Sequence, residues 1–386
     1  MLRQCRLGQA DGIGEGIDGG LSQFHEPAKD QQPPLVGHGS QQVRDIAGSA
    51  FDALRIEDNR HIRLVSYLGV AKLGYANISV KTGALKPLGD ELMAKPIIKA
   101  FFDEPTNTIS YLVADPATKG AAVIDPVLDY DHNAGAVDTR SVKAILREAE
   151  EDGFRILWVL ETHAHADHLS GAPYIKAKTG ARIGIGEHIK DVQRIFRPVF
   201  NAIDLATDGS DFDHLFKDGE HFQIGELDVE VLHTPGHTPA DVSYKVDDAV
   251  FVGDTLFMPD YGTARADFPG GDAQRLYRSI RRLLALAPEI RLFMCHDYKA
   301  PGRDEYAWET TVAEQRSKNV HVKEGIPEDD FVRMRAKRDA TLAAPRLLLP
   351  SIQVNIRAGK FPPKQANGVR YLQIPVKMKD DADLGL

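Results

Sequence analysis

Cysteine is nearly absent: Cys5 and Cys295 are the two in 386 residues. Two so far apart cannot frame a disulfide-stapled fold or a cysteine zinc finger, and they fit a reducing compartment. Long apolar runs are missing as well. The longest, such as Ile156 to Leu160 and Leu283 to Ala287, fall far short of the roughly 20 residues that span a bilayer. After Arg3 and Arg6 come Gly, Asp and Glu, where a secretory leader carries an apolar core. Positive charge is not in excess, since the net charge is −9. Such a chain has no general attraction for nucleic acid or acidic membranes, and an anionic substrate must be held by a local group of Arg and Lys. The expectation is a cytoplasmic protein with a small-molecule partner.

What is there divides into three stretches. Residues 1–92 are rich in Gly and Gln at first, then pass through Pro33-Pro34, with little apolar periodicity before Ile62 to Tyr67. This composition predicts a poorly ordered extension. A small partner-binding module around Ile62 to Val80 is the alternative, and Met93, just before the first clear strand, is an alternative start. Residues 93–300 carry regular patterns. Strands are expected at Ile97 to Phe102, Thr108 to Ala114 and Ala121 to Ile124, a helix over 139–151, and a doubly buried strand at Ile156 to Leu160. A helix over Leu169 to Lys178, a strand at Arg182 to Ile185 and a helix over Glu187 to Phe196 follow. Strand patterns return at Phe222 to Leu232 and Val242 to Phe257, then an amphipathic helix over Ala273 to Leu286 and a strand at Ile290 to Met294. Residues 301–386 read as helices over Glu305 to Ser317 and Glu328 to Ala343, then an extended Pro345 to Arg357. They form a helical and extended region that packs on the rest. Two mixed β-sheets flanked by helices, an α+β fold, satisfy the outline.

The chemistry sits in Thr162-His163-Ala164-His165-Ala166-Asp167-His168, directly after the doubly buried strand. A lone histidine is usually structural. Three imidazoles and a carboxylate within six positions at a strand end are a metal grip, since His163 and His165 can point the same way while Asp167 and His168 turn toward the next helix. Three further candidates follow at element ends: His237 in Thr234-Pro235-Gly236-His237-Thr238, Asp254 in Gly253-Asp254-Thr255, and His296 in Cys295-His296-Asp297-Tyr298. Singly each is weak. In this order they are strong.

In that order the seven residues resemble the motifs of the metallo-β-lactamase superfamily over about residues 96–300, which implies the αββα sandwich with a metal site at one edge of its sheets. Gly253 to Phe257, Arg265-Ala266-Asp267-Phe268 and His296-Asp297-Tyr298 narrow the resemblance to the bacterial persulfide dioxygenases. Pro239-Ala240-Asp241 departs from both that group, which commonly has Gly-Cys there, and glyoxalase II, which has Gly-His.

The resemblance implies a non-haem iron enzyme of sulfide oxidation: one iron(II) per chain on His163, His237 and Asp254, with glutathione persulfide and O₂ as substrates and sulfite and glutathione as products. Two imidazoles and a carboxylate leave positions open for substrate and O₂ together. His165, Asp167, His168 and His296 then become surrounding catalytic groups that orient ligands or relay protons. Arg265 and Tyr298 are candidates to bind substrate, and Arg265 could instead pair with Asp267. Cys295 reads as a small buried hydrophobe. The rival enzyme is a glyoxalase II-like thioester hydrolase with two zinc ions, in which Asp167, His168 and His296 hold the second ion. The non-enzyme alternative is a metal- or persulfide-binding sensor. The long C-terminal helices are compatible with pocket closure or a homodimer.

Overall fold

The structure, a computed structural model, describes residues 95–376 together with the backbone of Leu54–Asp58 and His61–Leu64, which pair antiparallel. Gly89–Leu386 forms one compact unit and Met1–Leu88 another. The expectations for residues 1–92 otherwise lie outside the described residues.

Two six-stranded sheets organise the larger unit. The first contains β1 (Ile97–Asp103), β2 (Thr108–Ala114), β3 (Gly120–Ile124), β4 (Arg155–Leu160), β5 (Arg182–Gly186) and β6 (His214–Phe216), in the order β6-β5-β4-β3-β2-β1. β1 to β3 pair antiparallel, and β3 to β6 are parallel. Helices α1 (Arg140–Glu151), α2 (Ala172–Thr179) and α3 (Ile189–Val199) supply the crossovers that parallel strands require. The second sheet runs in chain order: β7 (His221–Ile224), β8 (Leu227–His233), β9 (Val242–Val246), β10 (Ala249–Phe251), β11 (Arg291–Phe293) and β12 (Glu309–Thr311). Helix α4 (Ala273–Leu284) joins the parallel pair β10 and β11, and its N-cap Asp272 accepts the N–H groups of Gln274 and Arg275.

Side-chain alternation explains the layering. Along β2, Tyr111 and Val113 point into a core shared with Val229, Val231, Tyr244 and Phe251 of the second sheet. Their neighbours Leu112 and Ala114 point the other way, into a core capped by α1, α2 and α3. On the far side, Val250 and Leu292 meet Leu276, Ile280 and Leu283 of α4. The order is helices, sheet, sheet, helices: the αββα sandwich.

Beyond residue 300 lie α5 (Val312–Lys318), α6 (Glu328–Asp339) and α7 (Leu348–Asn355). Here local reading and structure differ. Residues 309–311 leave the expected helix to add β12 to the second sheet, and Thr311 caps α5 by accepting the Glu314 N–H. Pro345 to Arg357 is not extended: α7 is a helix whose Ile352 and Val354 are fully buried. From Ser351 to Asn355 polar and apolar residues alternate and all are buried, so no helical stripe shows in the sequence, and Pro350 is tolerated in the first turn, where no backbone N–H is needed. Leu169–Ser170 pairs with Val127–Leu128 before α2 begins, and β10 ends at Phe251 so that Gly253–Thr255 can turn.

Candidate metal centre

The seven motif residues converge where β4, β8, β10 and β11 end. At the end of β3, Asp125 adopts φ 48° and accepts both the N–H and the hydroxyl of Thr162, at 2.7 and 2.9 Å. These two hydrogen bonds fix the start of the histidine loop. His237 projects from a turn in which Gly236 has φ 148°, and a Cβ there would lie 2.3 Å from the backbone of Leu276. Only glycine lets the turn approach α4 so closely.

Hydrogen bonds decide which nitrogen each ring presents. Nδ1–H of His237 donates to the Arg265 carbonyl at 2.8 Å, and Nδ1–H of His296 to the Asn107 carbonyl at 3.1 Å. Their Nε2 lone pairs therefore face the site, an arrangement that metal-ligating histidines share. Nε2 of His237 is 3.6 Å from Asp254 Oδ2, Nε2 of His163 is 3.9 Å from the same oxygen, and Nε2 of His296 is 3.4 Å from both Asp254 Oδ1 and Asp167 Oδ2. His163 Nε2, His168 Nε2, His296 Nε2 and Asp254 Oδ1 are buried without hydrogen-bond partners. Buried acceptors left unpaired are costly. Converging on one space, they are the donor set a cation satisfies.

His163, His237 and Asp254 each offer an atom within 4.8 Å of the others, and a second such group is His165, Asp167 and His168. Burial, with the neighbouring His165 and His237, pushes His163 well below its ordinary value, so it is neutral and free to ligate. His165 differs. Although burial opposes its charge, Asp125 at 2.9 Å and Glu161 at 3.4 Å from Nε2 hold it well above the usual imidazole range. Asp167 stays well below the usual carboxylate range: burial opposes ionisation, but His296 and His168 outweigh it.

Beside these residues opens a cavity of about 450 Å³. His237, Asp254 and Asp167 line its inner end, and Phe257, Phe268 and Tyr298 form aromatic walls. Tyr298 stacks on His296, with ring centroids 5.6 Å apart. Arg265 lines the cavity, but its guanidinium forks onto Asp267 at 2.5 and 2.7 Å rather than onto Asp254, and donates to the Ala343 carbonyl. Arg303 is bound to Asp260 and Asp297. Cys295 is buried, its thiol is pushed up by desolvation and by Asp125, and its Sγ lies 3.6 Å from Asp125 Oδ2.

Several site residues carried no local signal. Arg338 and Arg346, from the C-terminal region, line the cavity and have no carboxylate partner among the described residues. Asp241 lies 3.8 Å from His163 Nδ1, and burial raises it to about 7. Asp125 had one usable sign, the Asp-Pro step ending an apolar strand as Gly253-Asp254 does.

Comparison with known proteins supplies the family. The Metallo-beta-lactamase superfamily profile matches residues 104–296. A probable metallo-hydrolase of Burkholderia pseudomallei is 53% identical over 72% of this chain and 98% of its own length. Glyoxylase B2 of Dictyostelium discoideum is 48% identical over 73% of this chain and 97% of its own. The mitochondrial persulfide dioxygenase ETHE1 of Bos taurus is 26% identical over 75% of this chain and 96% of its own. The crystal structure of ETHE1 from Myxococcus xanthus aligns with TM-score 0.55 and 30% identity, covering 68% of this chain and 99% of that one. With its αββα sandwich and its His/Asp metal centre, the chain belongs to the metallo-β-lactamase superfamily.

Proposed function

We propose that this chain is a persulfide dioxygenase, converting glutathione persulfide, O₂ and water to glutathione, sulfite and two protons. The observation that carries the reading is the set His163, His237 and Asp254, whose ligand atoms lie within 4.8 Å of one another in a group that does not include His165. His165 is committed through Nε2 to Asp125 and Glu161. His163, His237 and Asp254 would hold an iron(II), which would supply binding and activation of dioxygen beside a sulfur anion. The 30% identity to the Myxococcus ETHE1 structure supports the same chemistry.

The surrounding residues fit that task. A cavity of about 450 Å³ suits a tripeptide-sized thiol. Arg338 and Arg346 meet its carboxylates, and Phe257, Phe268 and Tyr298 wall the space around the reacting sulfur. The lone pairs on His168 Nε2 and His296 Nε2 accept the protons that water releases. Arg265 acts mainly through its carbonyl, which orients His237.

A second reading is hydrolysis of a glutathione thioester at two ions. It is favoured by the group His165, Asp167 and His168, by His296 between Asp167 and Asp254, and by the hydrolase and glyoxylase relatives. The two are separated by assaying sulfite release from glutathione persulfide, with and without O₂, beside hydrolysis of S-lactoylglutathione. Oxygen-dependent sulfite supports the dioxygenase; thioester hydrolysis without it supports the second reading. Metal or persulfide binding with neither turnover points to a sensor.

A further inference from the structure

The loop from His163 to His168 lies between two short strands and has no helical or sheet ladder of its own. Something else must set its bend. One side chain, far away in sequence, bonds to it at two points and to the strand that follows it at a third. Asn355, the last residue of α7, donates from Nδ2 to the carbonyls of His165 and His168, both at 2.8 Å, and accepts the N–H of Ser170 at Oδ1, at 2.9 Å. Both amide hydrogens and the amide oxygen are used, and the side chain is buried. An amide is the smallest group that offers two donors and an acceptor in one plane.

The helix end is seated firmly enough to act as a reference. Ile352, Val354 and Ile356 are fully buried, Gln193 donates to the Ile356 carbonyl at 2.9 Å, and Arg357 pairs with Asp204. Gly359 has φ 79°, and a Cβ there would lie 2.5 Å from Pro173, so the chain just past α7 lies close against the start of α2.

We propose that Asn355 is a positioning residue of the metal centre: by tying the His165 and His168 carbonyls to the Ser170 N–H, it sets the loop bend that aims His163, His165, Asp167 and His168. This gives the C-terminal region a part in metal binding without contributing a ligand. The inference rests on the metal centre and not on which reaction the centre performs.

The test is Co(II) binding to the metal-stripped full-length chain, followed by its visible absorption and by competition with a chelator. Asn355→Ala removes all three bonds. Asn355→Asp keeps the acceptor for Ser170 and the shape, but loses both donors and sets a carboxylate against two carbonyls. Both variants are expected to weaken Co(II) binding about 10–100-fold, the usual effect of losing a partner that orients metal ligands, and to change the Co(II) spectrum. Asn355→Ser, whose hydroxyl is one bond too short to reach either carbonyl but keeps the site polar, is expected to weaken binding as Ala does and serves if the Ala variant does not fold. A dissociation constant within twofold of wild type and an unchanged spectrum, with only a lower melting temperature, would overturn the proposal. Since no substrate enters the experiment, its failure and that of the persulfide reading are separate results.

Discussion

The Oδ2 atom of Asp254 lies 3.6 Å from Nε2 of His237, too far for a hydrogen bond. Two donors each about 2.1 Å from one ion stand about 3 to 4 Å apart, so this gap is the spacing of shared coordination. Asp254→Ala is therefore expected to abolish turnover and to weaken metal binding by more than the roughly 10–100-fold that outer partners cost, leaving the purified variant largely metal-free. Elemental analysis of the purified variant beside its activity checks this.

At the outer end of the cavity, Arg338 and Arg346 carry unneutralised charge among the described residues. On the proposed reading, each helps to hold an anionic substrate and takes no part in the chemical step. Arg346→Ala and Arg338→Ala should each raise KM about tenfold while kcat stays within about twofold. The effect should shrink as salt is added, because exposed charges are screened. Steady-state kinetics at two ionic strengths measure both.

Much of this arrangement is legible in the sequence, and the reason is local. His163 to His168 and the Gly-His, Gly-Asp and Cys-His steps each mark a strand end within a few residues. The sandwich was legible because β2, β3 and β4 are short apolar runs bounded by turn residues. What escaped came from distance. Nothing around Arg346 or Asn355 in sequence says that α7 returns to the histidine loop. The helix over Glu328–Asp339 is where its pattern places it, whereas two stretches differ for related reasons: α7 buries Ser351 to Asn355, polar and apolar alike, and residues 309–311 are recruited by pairing with β11 rather than by their own propensity.

The Arg335–Asp339 pair is almost fully buried in α6, and Asp339 Oδ2 also accepts the Ala266 N–H at 2.9 Å. Ala266 follows the carbonyl that orients His237. Asp339→Ala leaves a buried guanidinium uncompensated and should cost about 3–5 kcal/mol in denaturant unfolding. Replacing both residues by apolar ones, Arg335→Met with Asp339→Leu, should cost less than the single change.

His321 accepts the Thr263 N–H at Nδ1, 3.1 Å away, and faces Arg335, Arg338 and Asp339. Burial first, then the two arginines, lowers it to about 4 from the ordinary 6.5. The unfolded chain thus binds this proton more readily than the folded one. The stabilising contribution is complete above about pH 6.5 and is lost as pH falls toward 4. Melting temperature should fall between pH 7 and 4.5, less steeply in His321→Asn, as calorimetry can follow.

The central claim is one iron at His163, His237 and Asp254 performing an oxygen-dependent reaction. It is tested most directly by counting metal in the full-length chain purified without air and recording O₂ uptake on adding glutathione persulfide. One iron per chain and one O₂ consumed per sulfite formed are the predicted result. Two ions per chain, no O₂ uptake and brisk hydrolysis of S-lactoylglutathione would contradict it.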